Sequence, residues 1–330
     1  MKLSQDLSLS QAADFLGCTY VGPAEFRISG INEIHRVEPG DLTFVDIEKY
    51  YRKALDSPAT IILINKEVEP PAGKVLLISD DPFRDFNRLT EWLRPANSLE
   101  VEGKPRLGHG TKISLRATFG TDVSVGDRSE IGAGAVIGSH VRIGAHCFIH
   151  PNVTIYDHSV IGDHVTINAG TVIGGEAFYF KTRPDRRDKM LSKGRVVIHD
   201  HVDIGSNCTI DRGVTADTTI GAWTKLDNLI QIGHDTIIGQ RCLIASQVGV
   251  AGCVNIEDDV ILWGQVGVVK DLTIGKGAVL MGKTGVMSSL EGGKTYLGMI
   301  ASDIRSVLRE TASIKKLPEL LRWWEQEKRK

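Results

Sequence analysis

From Leu107 onward every sixth residue is apolar: Leu107, Ile113, Phe119, Val125, Ile131, Ile137, Ile143, Ile149, Ile155, Ile161, Ile167 and Ile173, without a miss. A glycine often follows, as at Gly126, Gly132, Gly138 and Gly144. The register lapses over residues 175–197, returns at Ile198, Ile204 and Ile210, slips once near Val214, and then runs from Ile220 to Val286. A helix cannot use this pattern, because six is not a multiple of 3.6, and Gly together with β-branched residues penalises helical backbone. A stack of very short parallel strands can, with each strand sending one aliphatic side chain into a shared core. If three hexads make one coil, residues 18 apart share a column at ~4.8 Å, the spacing of neighbouring strands. Glycine after the aliphatic position reads as a corner residue using backbone angles that other side chains avoid.

The flanks have a different texture. Ser8 or Ser10 is placed to cap a short helix through Gln11–Leu16 that Gly17 ends. "ATIILINKE" and "KVLLISD" read as buried strands, and Asp81-Pro82 opens an amphipathic helix with Phe83, Phe86, Leu89 and Leu93 on one side. Past Val286 the glycines thin out, and a helical tail is predicted with Ile304, Leu308 and Ile314 as its packing stripe and a break at Pro318. The expected organisation is a small α/β domain over 1–105, a β-solenoid over 106–290 with a loop insertion at 175–197, and a helical extension over 291–330.

Composition narrows the function classes. With 39 Lys and Arg against 41 Asp and Glu in 330 residues, no basic excess argues for nucleic acid. Five cysteines, an odd number without Cys-x-x-Cys spacing, point to free thiols in a reducing compartment. No basic-then-apolar leader and no long apolar run is present, so the expectation is a cytoplasmic protein with no membrane span. Positive charge gathers locally in the insertion, at Lys181, Arg183, Arg186, Arg187, Lys189, Lys193 and Arg195 against Asp185 and Asp188. Together with Arg305, Arg309, Lys315 and Lys316 in the tail, it is placed either to steer an acidic partner or to solubilise the surface.

The stretch "DNLIQIGHDTIIG" at 227–239 carries the candidate chemistry. Counting by coils puts His234, Gly252 and Lys270 in one column. Imidazole is a general base that works near neutral pH, and an amide N–H with no side chain before it can approach a developing oxyanion, worth ~3 kcal/mol in comparable sites. Asp227 is the candidate to orient the ring. His109, His140, His146, His150, His158, His164, His199 and His201 fall at hexad positions that a solenoid exposes in any case. His199-Asp200-His201 offers no metal site, because successive strand residues cannot all face one ion. No Gly-x-Ser-x-Gly motif or activated cysteine suggests a covalent intermediate.

At this stretch, and through "ISGINEIHRVEPGDLTFVDIEKY", "HPNVTIY", "TVIGGEAFYF" and "NCTIDRGVTADTTIG", nearly the whole chain resembles the UDP-3-O-(3-hydroxyacyl)glucosamine N-acyltransferases of lipid A synthesis, within the hexapeptide-repeat acyltransferases. The resemblance implies a left-handed parallel β-helix assembled as a homotrimer. It implies transfer of a 3-hydroxyacyl chain from the phosphopantetheine of acyl carrier protein to the 2-amine of a UDP-linked, 3-O-acylated glucosamine, with no other cofactor and no metal. By the same resemblance His234 is the base, the Gly252 amide the oxyanion donor and Asp227 the supporting carboxylate. Phe44 and Tyr50 sandwich the uracil, and Asn228, Lys270 and Asp271 belong to the substrate site. Between the aromatics the family has Asn-Pro where this chain reads Ile47-Glu48, leaving Asp46 as the nearby polar group. A second family histidine falls on Asp271, and a bulky residue that limits acyl length falls on Gly285, which implies room for a longer chain. An acyltransferase for another nucleotide-linked amino sugar and a non-catalytic scaffold solenoid stand as alternatives.

Overall fold

The computed structural model describes residues 1–95, 103–298 and 303–328. The hexads build three walls of parallel two- to four-residue strands, with nine, ten and nine strands among the described residues. Strand pairing follows the 18-residue step, for example Ile137 with Ile155 and Ile232 with Val250. The aliphatic residues of all three walls meet in one core, where Ile137, Ile155, Ile173, Ile210 and Ile232 are fully buried. The expected solenoid is therefore observed as a three-walled parallel β-helix.

The glycines that follow the aliphatic positions have a different role from the one expected. The left-handed corner falls two residues later, at His140 (φ 59°), His146 (56°), Asp235 (56°) and Gln247 (60°), while Gly126, Gly138 and Gly144 keep negative φ. Those glycines are required by close approach between coils. A Cβ on Gly126 would lie 2.5 Å from the Gly144 carbonyl carbon, and one on Gly138 2.4 Å from Asp157 Oδ1.

Because the corner residues stack coil over coil, the histidines form ladders. His146, His164 and His201 lie ring over ring at 4.8 and 4.7 Å, capped by Trp223 at 3.9 Å. A second pair, His140 and His158, stacks at 4.8 Å. Burial, aided by the positive charge of Arg94 and by His140, lowers the His158 pKa to about 4. An unfolded histidine takes its proton near pH 6.5, so falling pH protonates the unfolded chain first. The contribution of His158 to stability is thus level above pH 6.5 and declines as pH falls from there toward 4. Thermal melts across that window are expected to show His158→Gln losing less stability than the parent, by on the order of 2 kcal/mol.

Residues 1–95 form a six-stranded mixed sheet in the order Lys2–Ser8, Arg27–Ile31, Asp41–Val45, Ile61–Ile64, Val75–Ile78, Thr19–Val21, with parallel pairing in the centre and antiparallel pairing at both edges. Ser8 is the N-cap of the helix Leu9–Leu16, in a capping box with Gln11, and Gly17 ends it at φ 71°. Asp81 caps the helix Pro82–Leu93, whose Phe83, Phe86 and Leu89 are buried.

The insertion folds into a hairpin of Phe180–Thr182 and Arg187–Lys189. Ala177 and Met190 enter the core of the N-terminal sheet. Its basic residues tie it down: Lys181 pairs with Asp46, Arg183 with Asp81 and Asp188, Lys189 with Glu176 and Lys193 with Glu91. These charges are committed within the chain, and they fasten the hairpin to the N-terminal domain. The tail also departs from expectation. Its helix runs unbroken from Ile304 to Lys328 through Pro318, and none of its residues is buried, so Ile304, Leu308 and Ile314 stand largely exposed among the described residues rather than forming a packing stripe. Proline removes one backbone donor, and the turns on either side suffice to carry an exposed helix through it.

Candidate active site

His234 follows the strand Gln231–Ile232, Gly252 follows Gly249–Val250, and Lys270 follows Gly267–Val268, all on one wall. The stacking is direct: Cys253 N–H donates to the His234 carbonyl at 2.8 Å, and Asp271 N–H to the Gly252 carbonyl at 3.3 Å. A Cβ on Gly252 would meet His234 Nε2 at 2.4 Å, so only glycine leaves the imidazole its place.

Gly252 also has a free donor, for a reason rooted in the repeat. At several other corners of this kind the N–H donates to a side chain one coil further on. His109 bonds Asp127, Ser139 bonds Asp157, Ala145 bonds Asp163 and Gln240 bonds Asp258, all at 2.7–2.9 Å. The residue one coil beyond Gly252 is Lys270, whose ammonium cannot accept. Among the described residues no acceptor takes the Gly252 N–H.

The carboxylate that holds the ring is Asp235 rather than Asp227. His234 Nδ1 lies 2.9 Å from Asp235 Oδ2, which also accepts from Val214 N–H at 2.8 Å. Asp235 N–H donates to Thr218 Oγ1 at 2.9 Å. Asp227 sits one corner earlier, after the strand Lys225–Leu226 of the neighbouring wall, and its Oδ1 accepts from the backbone and side chain of Asn228. Asn228 in turn caps Ser206 N–H at 2.7 Å. Seven residues are one hexad and one more, which carries Asp227 around the prism. The register slip near Val214 has a use here, because the extra backbone of 211–216 supplies the N–H that fixes Asp235.

The N-terminal domain and the insertion cover this corner. Tyr179 stacks on the His234 ring at 5.9 Å and 14°, and the His234 side chain is 15% exposed. Tyr179 is hydrogen-bonded to Glu33, and burial pushes its phenol pKa well up. Glu33 is itself buried, and burial together with the Asp235 charge raises its carboxyl to about 8, so at neutral pH it is a protonated acid. Asp211, from "TIDRG", lies where it feels His234, and burial raises it to about 6 while Gln231 Nε2 donates to it at 2.9 Å. Arg36 Nη2 donates to the Asp235 carbonyl at 3.3 Å. Asp235, Tyr179, Glu33 and Asp211 were not legible as site residues. Only the "HD" adjacency and the non-periodic insertion hinted at the first two.

The nucleotide candidates lie apart from this column, on the N-terminal sheet. Phe44 is half-buried against Phe86 at 4.8 Å and Phe83 at 6.0 Å, while Tyr50 stands 45% exposed with Lys49 over its ring. Asp46 is taken up by Lys181. Lys270 and Asp271 are exposed and 3.4 Å apart. The strip Gly249, Gly267 and Gly285 runs down the outer face of the wall in register, and an added Cβ there would meet nothing within 4 Å. A groove of about 820 Å³ lined by Phe15, Trp92, Arg187 and Leu191 lies elsewhere and contains none of the column's residues.

A three-walled hexad solenoid bearing an imidazole over a bare, unpaired amide defines the class of hexapeptide-repeat acyltransferases, and a bacterial transferase hexapeptide family model matches residues 140–175. A second family model, UDP-3-O-(3-hydroxymyristoyl) glucosamine N-acyltransferase, LpxD, matches residues 25–92. The chain is 41% identical to UDP-3-O-acylglucosamine N-acyltransferase 1 of Sulfurimonas denitrificans over 78% of its own length and 81% of that protein. It is 45% identical to UDP-3-O-acylglucosamine N-acyltransferase of Campylobacter curvus over the same shares. A UDP-N-acetylglucosamine acyltransferase structure from Francisella novicida is 27% identical over 59% of this chain and 65% of that one, at a TM-score of 0.48. This chain belongs to the UDP-3-O-acylglucosamine N-acyltransferase family and is an acyltransferase. Among its described residues no helix is long and apolar enough to cross a membrane.

Proposed function

We propose that the protein transfers a 3-hydroxyacyl chain from the phosphopantetheine thioester of acyl carrier protein to the 2-amine of UDP-3-O-acylglucosamine. The observation that carries this is His234 Nε2 facing Gly252, whose N–H has no acceptor among the described residues. The amine attacks the thioester carbonyl while Nε2 takes its proton. Charge builds on the carbonyl oxygen, where the Gly252 N–H receives it. Collapse expels the carrier thiolate, which recovers the proton from the imidazolium, leaving an amide and a free thiol. Asp235 holds Nδ1 protonated so that Nε2 presents its lone pair, and the buried carboxylate steadies the imidazolium. No metal or further cofactor enters this sequence.

Uracil lies between the exposed Tyr50 and the rim ring of Phe44, where stacking contributes ~1–3 kcal/mol per contact. Lys270, uncommitted apart from Asp271, is the cation for a phosphate. The acyl chain runs along Gly249, Gly267 and Gly285, where no side chain shortens its path. A cytoplasmic homotrimer fits the apolar residues left open on the prism, among them Phe148, Leu243 and Trp263, and the unpacked tail helix. With the insertion's charges tied to Asp46, Asp81 and Glu91, the tail's Arg305, Arg309, Lys315 and Lys316 are the better carrier-docking surface.

Incubation with UDP-3-O-acylglucosamine and 3-hydroxyacyl carrier proteins of graded length, with products weighed by mass spectrometry, tests the reading. The expected product gains one acyl group in amide linkage, with long chains accepted. Absence of amide product at every length, or transfer to an amino sugar lacking the 3-O-acyl chain in preference, overturns it.

A further inference from the structure

Beside the catalytic column lies a second constellation built from parts of the chain far apart in sequence. His35, in the loop after Arg27–Ile31, Asp235 at the base's corner, and Cys253 next to the oxyanion glycine bring one ligand atom each within 4.8 Å of one another. His35 Nε2 and Cys253 Sγ are 3.7 Å apart. Nitrogen at ~2.0–2.1 Å and sulfur at ~2.3 Å from a tetrahedral zinc ion stand about 3.6 Å from each other. The third member adds an independent sign. Asp235 is 1% exposed, its Oδ2 is occupied by His234 and Val214, and its buried Oδ1 has no donor among the described residues. A buried carboxylate oxygen without a partner is costly unless a cation or donor completes it.

We propose that His35, Asp235 and Cys253 form a binding site for Zn²⁺, or another ion of similar softness, that clips the N-terminal loop to the prism beside the base. The donor set of imidazole, thiol and carboxylate selects zinc over Mg²⁺ or Ca²⁺, which prefer all-oxygen shells. Three protein ligands leave a fourth position for water. Binding converts the Cys253 thiol to a zinc-bound thiolate and releases its proton to solvent. Arg36, hydrogen-bonded to the Asp235 carbonyl, and Lys270 oppose the cation, while Asp271 lies on the same side and favours it; Glu33, protonated at neutral pH, adds no charge until a bound cation draws its proton off. An ion on Asp235 draws charge from the carboxylate that holds His234, so zinc is an inhibitor of transfer. The binding stands apart from the acyl-transfer reading, and only the inhibition rests on it.

The full-length protein, stripped with chelator, is titrated with Zn²⁺ alone by calorimetry and with Co²⁺ alone by absorption, for the parent, His35→Ala and Cys253→Ser. Both positions are at least partly open to solvent, and thermal melts without metal check that each variant folds. The expected result is a thiolate-to-cobalt charge-transfer band in the parent that is absent in Cys253→Ser, and Zn²⁺ affinity weakened at least about tenfold in both variants. Mg²⁺ in excess is expected not to compete. Equal Zn²⁺ affinity in all three proteins, or a parent without the thiolate band, overturns the site, as does loss of binding on His164→Asn in the ladder instead. Failure of acyl transfer in the parent leaves the titration readable, so the two ideas fail separately.

Discussion

Alanine at His234 is expected to lower kcat by roughly 10²–10⁴-fold, the usual worth of a positioned general base, while KM moves little. The physical ground is that the imidazole faces Gly252 outside the prism's aliphatic core, held by Tyr179 stacked on it and by Asp235. Its side chain is 15% exposed, and the wall beneath is carried by Ile232 and Val250, both buried. The melting temperature should therefore hold, which separates a chemical loss from an unfolded protein. Steady-state kinetics with carrier-linked substrate measure it. Turnover within a factor of about two of the parent is incompatible with any role for this ring in proton transfer.

The second large effect distinguishes two carboxylates that lie close together in sequence. Asp235→Asn is expected to reduce kcat by roughly 10- to 1000-fold, and Asp227→Asn to leave it within about twofold. In Asp235 one oxygen serves both His234 Nδ1 and Val214 N–H. Asparagine can place its oxygen there, keeping both bonds but losing the charge that steadies the imidazolium. It can instead place its amide there, which breaks the Val214 bond and holds the wrong tautomer. Either orientation slows transfer. Asp227, bonded to its neighbour Asn228 on the preceding corner, makes no hydrogen bond to the ring among the described residues. A larger loss at Asp227 than at Asp235 would return the supporting role to Asp227 and require a contact made across chains.

The columns were legible because a solenoid obeys a translation rule. Once each coil takes 18 residues, the address of His234 relative to Gly252 and Lys270 follows from counting, and the pairing of Ile232 with Val250 places them together. The same rule misled where Asp227 was judged by proximity in sequence, since seven residues turn a corner. It also assigned the corner glycines a conformational role when their neighbours' backbones, 2.5 Å from a virtual Cβ, are the reason for them.

Sequence alone determined the strand period, the shared core, a serine cap on the first helix, which the structure places at Ser8, and the stacking of imidazole over bare amide. All of these depend on residues whose partners lie within one coil or one turn. The tertiary structure decided which carboxylate holds the ring, that Tyr179 covers it, that Glu33 and His35 arrive from the N-terminal domain, and that the insertion's charges face inward to Asp46 and Asp81. The contacts made by the N-terminal domain join segments more than a hundred residues apart, and none of these contacts follows the repeat. They are selected by how a non-repeating surface fits against a repeating one, and no count along the chain contains that fit.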